Sequence, residues 1–349
     1  MPDTGSVKDI HNCTVEELEA LVTELGEKKF RAKQIFGWLS KGAESFYEMH
    51  NVPKRLLVSL ADKGWYAGLP EAVEVRRSED GTVKCLFSLI DGAEIESVFM
   101  KYEYGNSICI SSQAGCRMGC SFCASTMDGL GRNLTGGEML GEVLAMRKLT
   151  GEEIGHVVIM GMGEPFDNYD EVIRFIRLIN CRDGYDLGLR NITVSTCGII
   201  PGIRKFAEDA PQVNLAVSLH APNQELRERT MPVAKKYGYD ELMEACREYT
   251  EKTGRRITFE YALIDGVNDS EECARELAGR MMGWLTHVNL IPLNEVEGRD
   301  YRKVQPANAR RFRETLERRG VAVTVRRTLG SDIDAACGQL RRNRNKEKR

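Results

Sequence analysis

Hydrophobic positions in the first 65 residues recur with helical spacing. In TVEELEALVTELG the apolar residues fall on one face, with Thr14 before the run and Glu17 three residues later, which is the pattern of a capped helix start. Similar spacing predicts helices at 29–40 and 53–63, where Pro53 suits a first helical turn. We therefore expect a small helical domain at residues 1–70.

The period of the pattern changes after residue 70. Runs rich in β-branched and apolar residues predict strands at 73–77, 82–90, 94–102 and 107–112. The pairs Asp80-Gly81 and Asp91-Gly92 between them are hairpin-turn signals. We expect a β-hairpin connector at 71–104, and the strand pattern alone places the side chain of Glu96 in solvent.

Strands then alternate with helices to about residue 327. Further strands are predicted at 156–160, 191–196, 213–219, 257–264, 287–293 and 321–327. Helical stretches separate these strands, for example at 137–149, 168–180, 239–252, 270–285 and 307–319. This alternation predicts an α/β fold with a parallel sheet, either open or closed into a barrel, and about six units are too few for an eight-fold barrel. Functional loops should follow the carboxyl ends of the strands.

Composition and charge narrow the class of protein. Of 349 residues, 42% are hydrophobic and 29% charged, which is typical of a globular protein and excludes a fibre or a disordered chain. The chain has no long apolar run and its first residues lack a secretory pattern, so we expect a cytoplasmic protein. The net charge is −3, yet residues 341–349 hold six basic residues and one acidic residue. That tail is either a solvated terminus or a contact for phosphates.

The strongest chemical signal is CRMGCSFC, which places Cys116, Cys120 and Cys123 within eight residues. A structural zinc site normally needs four protein ligands, and no second cysteine or histidine pair follows. A 4Fe–4S cluster held by three thiolates leaves one iron open for a substrate or cofactor. We favour the cluster and keep structural zinc as the alternative.

Polar residues recur where the predicted strands end. Each of them alone could cap a loop, and His220 could be a core histidine, but their recurrence predicts a cofactor pocket. The candidates, with one apolar neighbour, are Gly163, Glu164, Ser195, Ser218, Leu219, His220 and Asn294.

The cysteine motif, with Phe122 before its third cysteine, resembles that of the radical S-adenosylmethionine (SAM) superfamily. Longer segments resemble its RlmN/Cfr family of RNA methyltransferases; they are ICISSQAGCRMGCSFCAST, MGMGEPFDNYDEV, VSTCGIIPGI, VNLAVSLHAPN, IPLNEVEG and DIDAACGQL. The resemblance covers about residues 14–340. It implies a partial (β/α)6 barrel of TIM type at 105–330 and a catalytic cysteine segment with the basic tail at 331–349. It also implies one 4Fe–4S cluster on the three cysteines, with SAM as second cofactor.

The resemblance further implies methylation of carbon 2 of adenosine in 23S ribosomal RNA and in some transfer RNAs, 3′ of the anticodon, with two SAM molecules per turnover. In this scheme Cys337 carries the methyl group, Cys109 resolves the enzyme–RNA adduct through a disulfide, and Glu96 accepts a proton. By pattern alone Cys109 is a small buried hydrophobe. The other cysteines are assigned no role.

Two alternatives and several partners complete the expectations. The near alternative is Cfr-type methylation of carbon 8, against which Pro165 and IPLNEVEG favour the RlmN branch; the distant one is a non-catalytic zinc module that binds RNA.

Expected partners are 23S rRNA, tRNA and an electron donor such as flavodoxin or ferredoxin, and the chain is expected to be a monomer. Candidate phosphate contacts are Lys28, Lys29, Arg31, Lys33, Arg326, Arg327 and the tail.

Overall fold

The computed structural model describes residues 8–347 except 328, 331 and 334–337. Its helices are α1 (Val15–Glu24), α2 (Phe30–Ser40), α3 (Lys54–Asp62), α4 (Gly136–Thr150), α5 (Tyr169–Asn180), α6 (Ile200–Asp209), α7 (Gln224–Thr230), α8 (Tyr239–Thr253), α9 (Glu271–Met281), α10 (Pro306–Arg318) and α11 (Gln339–Glu347). Its strands are β1 (Lys8–Asp9), β2 (Trp65–Tyr66), β3 (Glu71–Arg77), β4 (Val83–Ser88), β5 (Glu94–Tyr102), β6 (Gly105–Ile110), β7 (Gln113–Gly115), β8 (Leu130–Asn133), β9 (His156–Ile159), β10 (Ile192–Thr196), β11 (Asn214–Ser218), β12 (Ile257–Leu263), β13 (Thr286–Pro292) and β14 (Val323–Val325).

The first three helices confirm the predicted helical segments. Thr14 and Glu17 form the expected capping box at the start of α1. The segment before this helix contacts the helices of the main domain, since the Asn12 side chain accepts a hydrogen bond of 2.8 Å from the backbone of Gly137. Glu17 also forms a salt bridge of 2.8 Å with Arg174 on α5. The apolar faces of these helices join the same hydrophobic core as the sheet.

One sheet of ten described strands forms the centre of the fold, in the order β14-β13-β12-β11-β10-β9-β6-β5-β4-β3. In this order, each strand from β14 to β6 is parallel to its neighbour. The strands from β6 to β3 are antiparallel to their neighbours. The α/β expectation is therefore confirmed, with an open order of parallel strands. The connector hairpins extend the same sheet rather than forming a separate layer.

Several boundaries differ from those predicted. Helices α6 and α7 were not among the helices named from the sequence: α6 has Pro201 and Gly202 in its first turn, and α7 has only 7 residues. The predicted helix 270–285 ends at Met281, and Gly283, with a φ of +87°, follows it. The edge strand predicted at 321–327 spans only Val323–Val325.

The side chain of Glu96 is buried, so its expected exposure on the strand was wrong. The reason is that the C-terminal helix α11 covers this part of β5. Arg344 of α11 also forms a 3.2 Å salt bridge with Glu94 on the same strand. Within the described part of the chain, none of the helices combines the length and the apolar character that crossing a membrane requires.

Candidate active site

A cavity of 350 Å³ opens at the carboxyl ends of the parallel strands. Most of the residues predicted from the sequence line it, as do two of the arginines proposed for RNA. They are Cys109, Cys116, Cys120, Cys123, Gly163, Glu164, Ser195, Ser218, His220, Asn294, Arg326 and Arg327. Leu219 is fully buried behind the wall and does not line the cavity. The fold thus gathers residues that are up to about 200 positions apart in the chain.

The three-cysteine loop is held at both ends by backbone hydrogen bonds. The N–H of Cys116 donates to the carbonyl of Gly129 at 3.0 Å, next to the short pair β7–β8. The N–H of Ser121 donates to the carbonyl of Thr230 at 2.8 Å, and its hydroxyl lies 2.7 Å from that of Tyr301. These contacts turn the loop into the cavity.

The thiols of the loop lie in a poorly solvated place. Burial raises the pKa of Cys116 to about 12, and it also raises the pKa of Cys120 and Cys123. Charge repulsion from Cys123 further raises the pKa of Cys116, and repulsion from Cys123 and Cys116 raises that of Cys120, so thiolates here need a positive partner. Among the described residues no group of three or more His, Cys, Asp or Glu is arranged to hold a single metal ion.

A 4Fe–4S cluster fits this donor set. It is larger than one ion, it takes thiolates, and it needs only three protein ligands when a cofactor completes the fourth iron. The same cavity holds polar groups beyond the cysteines, where such a cofactor would lie. We therefore assign Cys116, Cys120 and Cys123 as the residues that would hold the cluster.

Gly163 and Glu164 form one wall of the cavity. A side chain at Gly163, whose φ is +104°, would lie 2.8 Å from the backbone nitrogen of Gln113, so only glycine allows this close approach. The buried carboxylate of Glu164 accepts hydrogen bonds from the Thr196 hydroxyl at 2.6 Å and from the Cys197 N–H at 2.7 Å. Burial raises its pKa. The remaining acceptor capacity of this carboxylate suits a cationic group of a bound cofactor.

His220 has two functions in the fold. Its Nδ1 accepts a 2.9 Å hydrogen bond from the N–H of Ala262, and its ring contacts Phe122 edge-on at 5.0 Å. Burial, followed by the nearby charge of Arg227, lowers its pKa to about 3, so the ring is neutral at physiological pH. Its φ of +56° is a left-handed conformation, uncommon outside glycine, of the kind that clusters at functional sites.

Cys109 lies near the end of β6 and lines the same cavity as the cluster loop. Burial raises the pKa of its thiol to about 11, while the positive charge of Arg326 opposes that rise. Glu260 was missed by the sequence analysis although it interrupts the apolar run ITFEYALI. It lines the cavity, accepts a 2.9 Å hydrogen bond from Asn289, and burial raises its pKa to about 7.

Glu96 does not line the cavity but lies under the C-terminal segment. Its carboxylate pairs with Lys84 at 3.1 Å, and neither side chain is exposed to solvent. It also accepts backbone hydrogen bonds from Gly338 at 2.7 Å and Arg341 at 2.8 Å. Cys337 lies outside the described residues, as do residues 348–349 of the basic tail.

Gly338, the residue after Cys337, packs directly on the cluster loop. A Cβ atom at Gly338 would lie 2.8 Å from the backbone nitrogen of Ser125, two residues beyond Cys123. The segment that carries Cys337 therefore begins its helix next to the cluster ligands.

The fold and the three-cysteine loop define a radical SAM enzyme. The model of the radical SAM superfamily matches residues 110–277, and that of the ribosomal RNA large subunit methyltransferase N-terminal domain matches residues 8–63. A radical SAM methyltransferase from Sphaerobacter thermophilus has a similar crystal structure, with a TM-score of 0.90 and 44% identity over 95% of this chain and 98% of that one.

Relatives that align with nearly the whole chain identify its family among the radical SAM enzymes. The chain is 53% identical to the probable dual-specificity RNA methyltransferase RlmN of Alkaliphilus oremlandii, over 96% of this chain and 97% of the relative. It is 52% identical to the protein of that name from Clostridium perfringens, over 98% and 99% respectively. The chain belongs to the RlmN family of radical SAM RNA methyltransferases.

Proposed function

We propose that the enzyme methylates carbon 2 of adenosine in 23S rRNA and of the adenosine 3′ of the anticodon in some tRNAs. One observation carries the proposal. A single cavity is lined by the three cluster cysteines, by Cys109 and by all the candidate SAM residues except Leu219, and the residue after Cys337 packs against the cluster loop. Relatives named as dual-specificity RNA methyltransferases, and the match of residues 8–63 to a ribosomal RNA large subunit methyltransferase domain, support an RNA substrate.

The cluster and SAM, when bound, supply a 5′-deoxyadenosyl radical. The remaining chemistry belongs to the chain. Carbon 2 of adenine is electron-poor and cannot attack a sulfonium methyl, so the methyl group is first placed on Cys337 and reaches the base as a carbon radical. The deoxyadenosyl radical takes a hydrogen atom from the methyl group on Cys337, and the adduct that the resulting carbon radical forms at carbon 2 is still a radical. The adduct therefore loses both its carbon 2 proton and one electron, the electron going back to the oxidised cluster that would supply one at the start. Cys109, as a thiolate, then attacks the sulfur of Cys337. The S–S bond forms, the C–S bond breaks, and its electron pair with a proton completes the methyl group.

We propose Glu96 as the acceptor of the carbon 2 proton. Its Oε2 accepts a hydrogen bond from the backbone N–H of Gly338 and pairs with Lys84. Among the described residues, its Oε1 accepts a hydrogen bond from the backbone N–H of Arg341. A carboxylate oxygen has two lone pairs, so Oε1 has room for a proton. Its place under the Cys337 segment supports this role.

RNA contacts are proposed on the N-terminal helices and at the mouth of the cavity. Lys28 is exposed, and Phe30 beside it is 50% exposed with the guanidinium of Arg31 4.6 Å from its ring. An exposed aromatic ring among cations suits stacking on an unpaired base. Lys29 and Lys33 already pair with Glu19 and Asp183, which weakens their candidacy. At the mouth, Arg326 and Arg327 would meet the phosphates of an extruded adenosine.

The remaining partners follow from the chemistry. We propose a small electron-transfer protein such as flavodoxin or ferredoxin as reductant of the cluster. We also propose that the enzyme acts as a monomer in the cytoplasm, where its RNA substrates are made.

The decisive experiment is product mapping. Reconstituted enzyme is incubated with SAM, a reductant and rRNA or tRNA, and the digested nucleosides are identified by mass spectrometry against authentic standards. We expect 2-methyladenosine, and none from a Cys337→Ala control. A main product of 8-methyladenosine would support the Cfr-type alternative, which the relatives do not favour. Stoichiometric zinc without iron in anaerobically purified protein would support the zinc module.

A further inference from the structure

Arg227 on α7 is a completely buried arginine next to the cluster loop. Its Nη2 donates hydrogen bonds to the backbone carbonyls of Cys197 at 2.6 Å and Ser218 at 3.3 Å. Its Nε and Nη1 are also buried, yet they have no hydrogen-bond partner among the residues that the structure describes. No described carboxylate forms a salt bridge with it either. Because a guanidinium stays protonated in proteins, the fold here buries a positive charge without a carboxylate counter-charge.

Arg227 contacts a residue that packs against the cluster loop. Cys197, whose carbonyl accepts the 2.6 Å hydrogen bond from Arg227, is itself a buried cysteine. Cys120 and Cys197 also pack together with Met231 in one apolar group. The other titratable groups near Arg227 are Cys246, Tyr239 and His220. None of these groups is an anion at neutral pH while the cysteines are thiols.

The helix that carries Arg227 also holds the cluster loop. Thr230, at the end of α7, accepts the hydrogen bond from the backbone of Ser121, and the N–H of Met231 donates to the carbonyl of Arg227 at 2.7 Å. The backbone of α7 is therefore fixed relative to the cluster loop, and the hydrogen bonds to the carbonyls of Cys197 and Ser218 hold the guanidinium. Its position does not depend on a flexible loop.

We infer that Arg227 is the buried counter-charge of the iron–sulfur site. This inference rests on the proposed cluster: three thiolates and the cluster core together are negative, and reduction adds another negative charge. A fixed cation that contacts Cys197, which packs against Cys120, stabilises the reduced form of the cluster more than the oxidised form, so it raises the reduction potential. Arg227 is a positioning and electrostatic residue that acts through the cluster, and it does not line the cavity itself.

The test is a redox titration of the reconstituted protein, followed by electron paramagnetic resonance. Arg227→Met removes the charge, Arg227→Gln removes the charge but keeps a donor for the carbonyls, and Arg227→Lys keeps the charge. We expect a more negative midpoint potential for the methionine and glutamine proteins and a value near that of the native protein for the lysine protein. The matched control is Arg255→Met, a partly buried arginine before β12 at the opposite end of the sheet, which should leave the potential unchanged.

Unfolding measurements separate this role from a merely structural one. Loading the cluster should raise the melting temperature of the native protein more than that of the Arg227→Met protein, because the uncompensated charge is costly only in the empty site. If Arg227 had only a structural role, Arg227→Met would lower the melting temperature by the same amount with and without the cluster. Should the methionine protein not fold, the lysine and glutamine proteins decide, and equal midpoint potentials in those two would overturn the inference. If the native protein itself binds no 4Fe–4S cluster, the proposed function fails instead.

Discussion

The carboxylate of Glu96 on β5 accepts a hydrogen bond of 2.7 Å from the backbone N–H of Gly338, although 242 positions separate the two residues. A second bond from the N–H of Arg341 places the same carboxylate at the beginning of α11. Acidic groups stabilise helix N-termini, where the N–H groups lack partners within the helix. One buried residue thus connects the connector strands to the segment that carries Cys337.

Replacing Glu96 should release this segment. Glu96→Ala leaves Lys84 without this buried carboxylate partner, and breaking such a pair by removing one partner costs about 3–5 kcal/mol. We expect a lower free energy of unfolding of that order and faster tryptic cleavage at Arg341 and Arg342. Denaturant titration and timed proteolysis measure the two effects.

The matched control is Glu94→Gln, because Glu94 is a buried acid on the same strand that contacts α11 at Arg344. It should change methyl transfer much less than Glu96→Gln. Equal losses of activity in the two glutamine variants would remove the special role of Glu96.

Gly338→Ala should uncouple SAM cleavage from methylation. The new methyl group would lie 2.8 Å from the backbone of Ser125, and the φ of +82° costs an alanine about 1–2 kcal/mol in addition. We expect the variant to bind the cluster and to produce 5′-deoxyadenosine, while its yield of methylated RNA falls at least tenfold. Gly320→Ala is the control, since Gly320 has a φ of +74° and no atoms within 4 Å of the added group. If both variants methylate equally well, the close packing on the cluster loop is unimportant.

The sequence predicted most of the elements and the residues of the cavity, because both depend on local patterns. The helix start at Thr14, the hairpin turns and the strand–helix alternation all follow from periodicity and turn chemistry within about ten residues. Residues at strand ends could be grouped because parallel strands bring their carboxyl ends to one edge. The roles of these residues stay predictions.

Sequence patterns did not predict which ionisable side chains are buried. Nothing in the strand containing Glu96 shows that α11 will cover it, since that contact joins distant parts of the chain. Glu142 is equally hidden within α4, where it accepts from the backbone of Ser111 at 3.1 Å and burial raises its pKa. Arg227 has the sequence appearance of an ordinary charged helix residue. Only the three-dimensional structure shows what desolvates each group.

Cys116→Ala should remove one cluster ligand. We expect loss of the iron–sulfur absorption and of SAM cleavage, because two remaining thiolates hold a cluster poorly. Cys13→Ala is the matched control, since Cys13 is also a buried cysteine but lies before α1, away from the cavity. Iron and sulfide analysis measures the cluster content of both variants, and quantification of 5′-deoxyadenosine measures their SAM cleavage. Normal cleavage by the Cys116 variant would contradict the assignment.

Lys28→Ala should weaken RNA binding in a salt-dependent way. If Lys28 neutralises one phosphate, the slope of log affinity against log salt should fall by about 0.7–0.9. Filter binding or fluorescence anisotropy at several salt concentrations measures this slope. Lys252→Ala serves as control, because Lys252 lies on α8 and pairs with Glu208 at 2.7 Å. An unchanged slope for Lys28→Ala would exclude this lysine from the interface.

Release of the methylated base should accelerate with rising pH. Only the Cys109 thiolate is nucleophilic, and its pKa is raised to about 11, so the thiolate fraction grows roughly tenfold per pH unit up to that value. In single-turnover experiments on the preformed enzyme–RNA adduct, we expect the release rate to climb from pH 7 to 9 without a plateau. Arg326→Met removes the cation that opposes the raised pKa of Cys109, so release should be slower at each pH. The control is Arg256→Met, which should have no effect, because the charge of Arg256 lowers the pKa of His287 instead. Cys109→Ala should hold the adduct at every pH, and free turnover by that variant would show that another group resolves it.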